Sequence, residues 1–229
     1  MKRLLQFALG LMMLVAPLVA TAQTTSEQME WIELVQKITF NERLSTTLLF
    51  QNRNFLERTN TYQNIYWGSL EMKAKPVNFG GGMIYFTYHK QVAEDFQSVP
   101  EIRPFQYVSK SWKSDRWTHS VRAMAEERYM SKVVNTEVMP AQDFCMRYRL
   151  RLKTNWQFSC IAKLDLRNEI FWQTGEVNQN RASGRVIFKL PIANAGLGYM
   201  HWWVNTAAGA EHRHSWLFSV SHHYSFRRE

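Results

Sequence analysis

Residues 143–172 read DFCMRYRLRLKTNWQFSCIAKLDLRNEIFW, and their period decides the fold. Arg147, Arg149, Arg151 and Lys153 recur at every second position, with Tyr148, Leu150 and Leu152 between them. At 100° per residue a helix would spread these four cations over every face; a strand puts them on one. From Trp156 to Trp172 the even positions are again apolar, apart from Asn168, and the odd ones mostly polar. The stretch therefore reads as two long strands, 143–154 and 157–172, joined by a turn near Asn155. That register predicts Asp165 within reach of Arg147.

The same texture extends in both directions. Further alternating windows give strands over 43–54, 61–74, 79–91, 99–110, 116–129, 179–190, 194–205 and 213–226, and a shorter apolar piece over 30–38. No linker or shift in composition interrupts them, so the chain reads as one domain. Many of these strands exceed the ~5–6 residues usual in globular sheets and reach the ~9–11 that cross a bilayer. Connections near 75–78, 111–115, 155–156 and 191–193 are short, and those near 55–60, 91–98, 130–142, 173–178 and 206–212 mostly longer. That asymmetry belongs to outer-membrane barrels; a soluble sandwich is the competing reading. The expectation is an all-β fold, an antiparallel transmembrane β-barrel of about 10–12 strands. Ten strands leave 30–38 over. Parity disfavours it as an eleventh strand, so it lies in the lumen or marks two strands merged elsewhere. Trp156, Trp172, Trp216, Tyr224 and Phe226 are the expected aromatic belt.

The N-terminus supplies an address. Lys2 and Arg3 precede an apolar stretch, Leu4–Val19, that ends in Ala20-Thr21-Ala22. This is the pattern of a signal peptide over 1–22, cleaved before Gln23 to leave residues 23–229 as the barrel. No cysteine follows it, so a lipoprotein anchor is not supported. Beyond it no apolar run approaches the ~18 residues of a membrane helix, which excludes a polytopic helical protein. The expected location is the outer membrane of a Gram-negative bacterium. The expected partners are outer-membrane lipid and the barrel-insertion machinery, the latter through the aromatic alternation of the last strand. Cys145 and Cys160 are too few for a disulfide scaffold or a four-cysteine zinc site and read as free thiols.

Several segments also come in a familiar order: Glu101-x-Arg103-x-x-Gln106, the run Arg122–Arg128, the ladder Met146–Leu152, Asn168-Glu169-Ile170-Phe171, Asn178-Gln179-Asn180-Arg181, and Gly196–Tyr199. Together they resemble the exported barrel family filed as domain of unknown function 2490, from about Trp31 to Phe226. The resemblance implies an outer-membrane β-barrel. It implies no activity, and so no catalytic residues.

The candidate site is the inward face. Arg103, Arg122, Arg128, Arg147, Arg149, Arg151, Lys153, Lys163, Arg167, Arg181, Arg185 and Lys189 fall there, against Glu101, Glu126, Asp165 and Glu169. Two readings stand. Paired arginines and carboxylates can fill a narrow barrel as structural packing, or an excess of cations can make a narrow anion-favouring pore. Gly196 and Gly198 leave room for arginine side chains under either. An outer-membrane enzyme acting on lipid or lipopolysaccharide is the alternative, and it requires adjacent Ser, His and carboxylate. Ser221 and His223 share a face, but the lumen one. His212, His214, His222 and His223 sit near opposite ends of one strand, which argues against a single metal site. Gly80-Gly81-Gly82 lacks nucleotide-loop spacing, and export argues against nucleic acid as a partner. Neither a cofactor nor a metal is expected.

Overall fold

The computed structural model describes residues 25–56, 61–92, 95–134, 137–173, 176–206 and 209–226. The expected signal peptide lies outside them. The described residues form eleven strands: β1 (Thr25–Thr39), β2 (Leu44–Phe55), β3 (Thr61–Ala74), β4 (Val77–Val92), β5 (Asp95–Ser114), β6 (Trp117–Val134), β7 (Glu137–Trp156), β8 (Ala162–Gln173), β9 (Glu176–Lys189), β10 (Asn194–Thr206) and β11 (Gly209–Ser225). Each pairs with its neighbour in sequence, and β1 closes against β11 to complete a barrel. Following the paired register once around the sheet returns to β1 displaced by about 14 residues, a stagger that tilts the strands by roughly 40–45°.

Three expectations change. First, residues 30–38 are neither a lumen plug nor a mark of merged strands. They belong to β1, which makes the count odd. In an up-and-down meander an odd count leaves the first and last strands pointing the same way, so β1 and β11 pair in parallel, from Thr25↔Glu211 to Thr39↔Ser225. The barrel is mixed, not wholly antiparallel. Second, the turn between β7 and β8 lies at 157–161, not near Asn155. Asp165 therefore faces Asn155, and Arg147 faces Gln173, eight positions away from the expected pairing. The cause is local. Trp156 stacks on Trp117 at 5.5 Å and stays in the sheet. Ser159 then accepts from Ile161 N and donates its own N–H to Ala162 O, closing the turn. Third, the connections at 93–94, 135–136, 174–175 and 207–208 are as short as those at 75–76 and 115–116. Those four expected longer loops are mostly strand instead, whereas 56–60 still separates β2 from β3; β5 and β7 reach 20 residues and extend as paired hairpins. We call that end the hairpin end and the other, carrying 40–43, 75–76, 115–116, 157–161 and 190–193, the turn end.

Side chains alternate about the sheet as the period of two requires. Outward residues such as Leu48, Leu70, Met83, Phe144, Tyr148, Leu197 and Phe218 are exposed, whereas Ile84, Phe86, Met124, Phe171 and Trp202 face inward and are buried. At the turn end the outer face is aromatic: Phe40 stacks on Phe226, and His119 lies between Trp112 and Trp117 beside Trp156. Towards the hairpin end it becomes polar, with Asn54 donating to Glu30 and Asn52 to Asn64. Of the expected belt, Trp156, Tyr224 and Phe226 lie at the turn end and Trp172 near the hairpin end. Trp216 lies midway along β11, beside Tyr199.

Candidate functional site: the charged interior

Carboxylates organise the interior, most of them taking more than one cation. Glu126 on β6 is fully buried. It accepts from Nε and Nη2 of Arg147 and from Nη1 of Arg149, the last at 2.5 Å. Arg149 reaches on to Glu169 at 3.1 Å. Glu101 accepts from Arg103 at 2.5 Å and from Arg128 at 2.6 Å, and Arg128 also donates to Gln173. Asp165 holds Lys153 at 2.8 Å and Arg167 at 2.6 Å. Glu33, on β1, takes Arg185 from β9 at 2.8 Å. A buried ion without such partners costs several kcal/mol, so this sharing is what allows three carboxylates to sit at 2% exposure or less.

Aromatic faces hold cations as well. The Arg53 guanidinium lies 3.6 Å from the Trp31 ring centroid and donates to Gln51 and Gln63. Arg181 lies over Trp202 at 4.3 Å and Phe171 at 4.5 Å. Arg103 covers Phe86 at 3.5 Å. Together with the buried cluster of Met29, Trp31, Phe55, Met200, Trp202 and Leu217, these contacts constrict the interior towards the hairpin end.

Below the constriction a cavity of about 360 Å³ is lined by residues of all eleven strands. Eleven Lys and Arg line it, from Lys37 to Arg185, against Glu33, Glu71 and Glu169. Eight of those cations come from β6–β9; much of the rest of the wall is Val35, Leu49, Ile65, Trp67 and Ile84 from β1–β4. Close approach needs glycine here. A Cβ on Gly198 would lie 2.2 Å from Arg185 Cγ, and one on Gly80 would lie 2.2 Å from the Tyr107 ring.

Not every residue singled out from sequence joins this arrangement. Arg103, Arg122, Arg147, Arg149, Arg151, Lys153, Arg167, Glu169, Arg181 and Arg185 line the cavity. Glu101, Glu126, Arg128 and Asp165 stand behind it as partners. Lys189 is exposed at the turn end of β9, and Lys163 is partly exposed at the start of β8. Sequence reading missed Glu33, Lys37, Arg53 and Glu71. The first two lie on the piece not read as a strand. Arg53 is hidden by the polar outward neighbours Asn52 and Asn54.

The histidines fall in separate places, except that His201, His212 and His214 lie together on β10 and β11. His119 pairs with Thr154, His222 with Gln36 and His223 with Thr39, while His201 contacts His212. Among the described residues no group of three or more His, Cys, Asp or Glu is arranged to hold a metal ion. Both cysteines are free thiols, Cys160 in the exposed turn at 157–161.

A closed, mixed eleven-stranded β-barrel with a charged interior is the class of protein that fold and site define. Residues 29–213 match the family described as protein of unknown function (DUF2490), and the chain belongs to that family. No curated protein matches the chain.

Proposed function

We propose that this protein is an outer-membrane β-barrel whose interior is a narrow, anion-favouring pore. The observation that carries the reading is the excess of cations around one internal cavity: eleven line it, against three carboxylates in the lining and three, Glu101, Glu126 and Asp165, that stand behind it as partners. Unneutralised guanidinium and ammonium groups in a confined space raise the local anion concentration. Location in the outer membrane is supported by three features: outward apolar side chains, an aromatic rim at the turn end, and strands of 12–20 residues. The signal-like residues 1–22 supply the route.

Planar-bilayer recording on residues 23–229 tests the reading in a KCl gradient. A small conductance with a reversal potential of chloride sign is expected. A cation-selective potential overturns the anion preference, and no conductance leaves a closed structural barrel.

A further inference from the structure

Several like-charge contacts of the charged interior share a carboxylate. Lys153 and Arg167 face each other directly across β7 and β8, and Asp165 bridges them. Arg147 and Arg149 share Glu126. Arg122 and Arg151 also face each other directly, across β6 and β7, but each has only a long ion pair, with no carboxylate hydrogen bond among the described residues. Their nearest acidic neighbours are Glu71, 3.8 Å from Arg122, and Glu169, 3.9 Å from Arg151. Both distances exceed a hydrogen bond. Glu71 is already engaged by the Tyr107 hydroxyl at 3.0 Å, and Glu169 by Arg149. The buried Nε of each arginine has no acceptor among the described residues. Like charges directly opposed on neighbouring strands are destabilising. Each guanidinium carries five donors in a planar fork that matches carboxylate or phosphate oxygens.

The other wall of the same cavity is mixed, with Val35, Leu49 and Trp67 forming an apolar patch among polar residues such as Glu33, Lys37 and Gln51. A volume of about 360 Å³ falls at the small end of organic-ligand sites, ~300–1,000 Å³. A lone inorganic anion would leave most of it to water and make no use of the apolar patch.

We propose that the cavity binds an amphiphilic organic anion, a phosphate monoester or carboxylate on a hydrophobic body. The anionic group lies between Arg122 and Arg151, and the apolar part lies against Val35, Leu49 and Trp67. This rests on the reading of the interior as anion-favouring and adds the ligand class to it. The probes are 2-naphthyl phosphate, inorganic phosphate and 2-naphthol. Each is titrated calorimetrically into the mature barrel in non-ionic micelles, with protein-free micelles subtracted. One site for 2-naphthyl phosphate is expected, at least tenfold tighter than for either fragment. Arg122→Gln and Arg151→Gln should each weaken it tenfold or more without lowering the unfolding temperature of the ligand-free barrel, since each relieves a like-charge contact. Should either fail to fold, Arg122→Lys, which keeps the charge and loses the fork, should show the same weakening. Inorganic phosphate binding as tightly as the ester, or variants that bind unchanged, overturn the proposal. Chloride-selective conductance without ester binding defeats this inference alone; cation selectivity defeats the pore reading itself.

Discussion

Replacing Glu126 by Gln should be among the most damaging isosteric changes in this barrel. The carboxylate is fully buried and accepts from Arg147 and Arg149 together. Arg149 keeps Glu169 after the change, but Arg147, itself 3% exposed, retains no carboxylate. A glutamine offers one acceptor oxygen and turns an amide N–H towards a guanidinium. Removing one partner from a buried ion pair costs about 3–5 kcal/mol, and the lost charge-assisted hydrogen bonds, at about 1.5–3 kcal/mol each, are of that order. Urea unfolding in short-chain lipid vesicles, followed by tryptophan fluorescence, measures it. Glu127→Gln, one position along on the outward face, is the control and should stay within about 0.5 kcal/mol of the parent. Adding Arg147→Met to Glu126→Gln should recover part of the loss, because the stranded cation is gone. A Glu126→Gln barrel within about 1 kcal/mol of the parent, or a double variant no better than the single, would refute the reasoning.

Two other outcomes follow from backbone geometry. Gly198→Ala puts a Cβ 2.3 Å from Gly184 O and should prevent a heat-modifiable barrel from forming, whereas Gly68→Ala, whose nearest neighbour is 3.8 Å away, should assemble normally on the same gel. With Cys145 and Cys160 replaced by Ser, cysteines at Leu34 and Val220, direct partners in the parallel pair, should form a disulfide within one chain. An uncrosslinked product under oxidation would rule out the parallel closure.

Strand existence was plain in the sequence because the inward and outward faces differ in chemistry, most sharply in Arg147–Lys153. Pairing was less plain. Register depends on where a turn closes, and the turn at 157–161 carries no Gly, Pro or Asn. Phe158 continues the apolar alternation of Trp156, so the pattern runs through the turn without a break. β1 was hidden for another reason: both of its faces mix apolar and polar residues, Trp31, Glu33, Val35 and Lys37 on one side, and a parity argument drawn from even-stranded barrels stood against an eleventh strand. The partners of the interior cations were only half legible. The same-strand pairs Glu101–Arg103 and Asp165–Arg167 follow from spacing alone. Glu33–Arg185 joins residues 152 apart and exists only once the barrel has closed.

The parallel seam also decides where the chain's two ends emerge. Thr25 stands at the hairpin end and Ser225 at the turn end, because β1 and β11 run in the same direction. In an even-stranded meander both ends would exit on one side. On the outer-membrane reading proposed above, with the turns facing the periplasm, Thr25 stands on the cell-surface side and Phe226 on the periplasmic side. With β2–β11 counted as five hairpins, β1 is the strand left over, and on that reading it crosses the bilayer by itself. An epitope placed ahead of Thr25 would be displayed to the outside, and one after the last strand would be shielded.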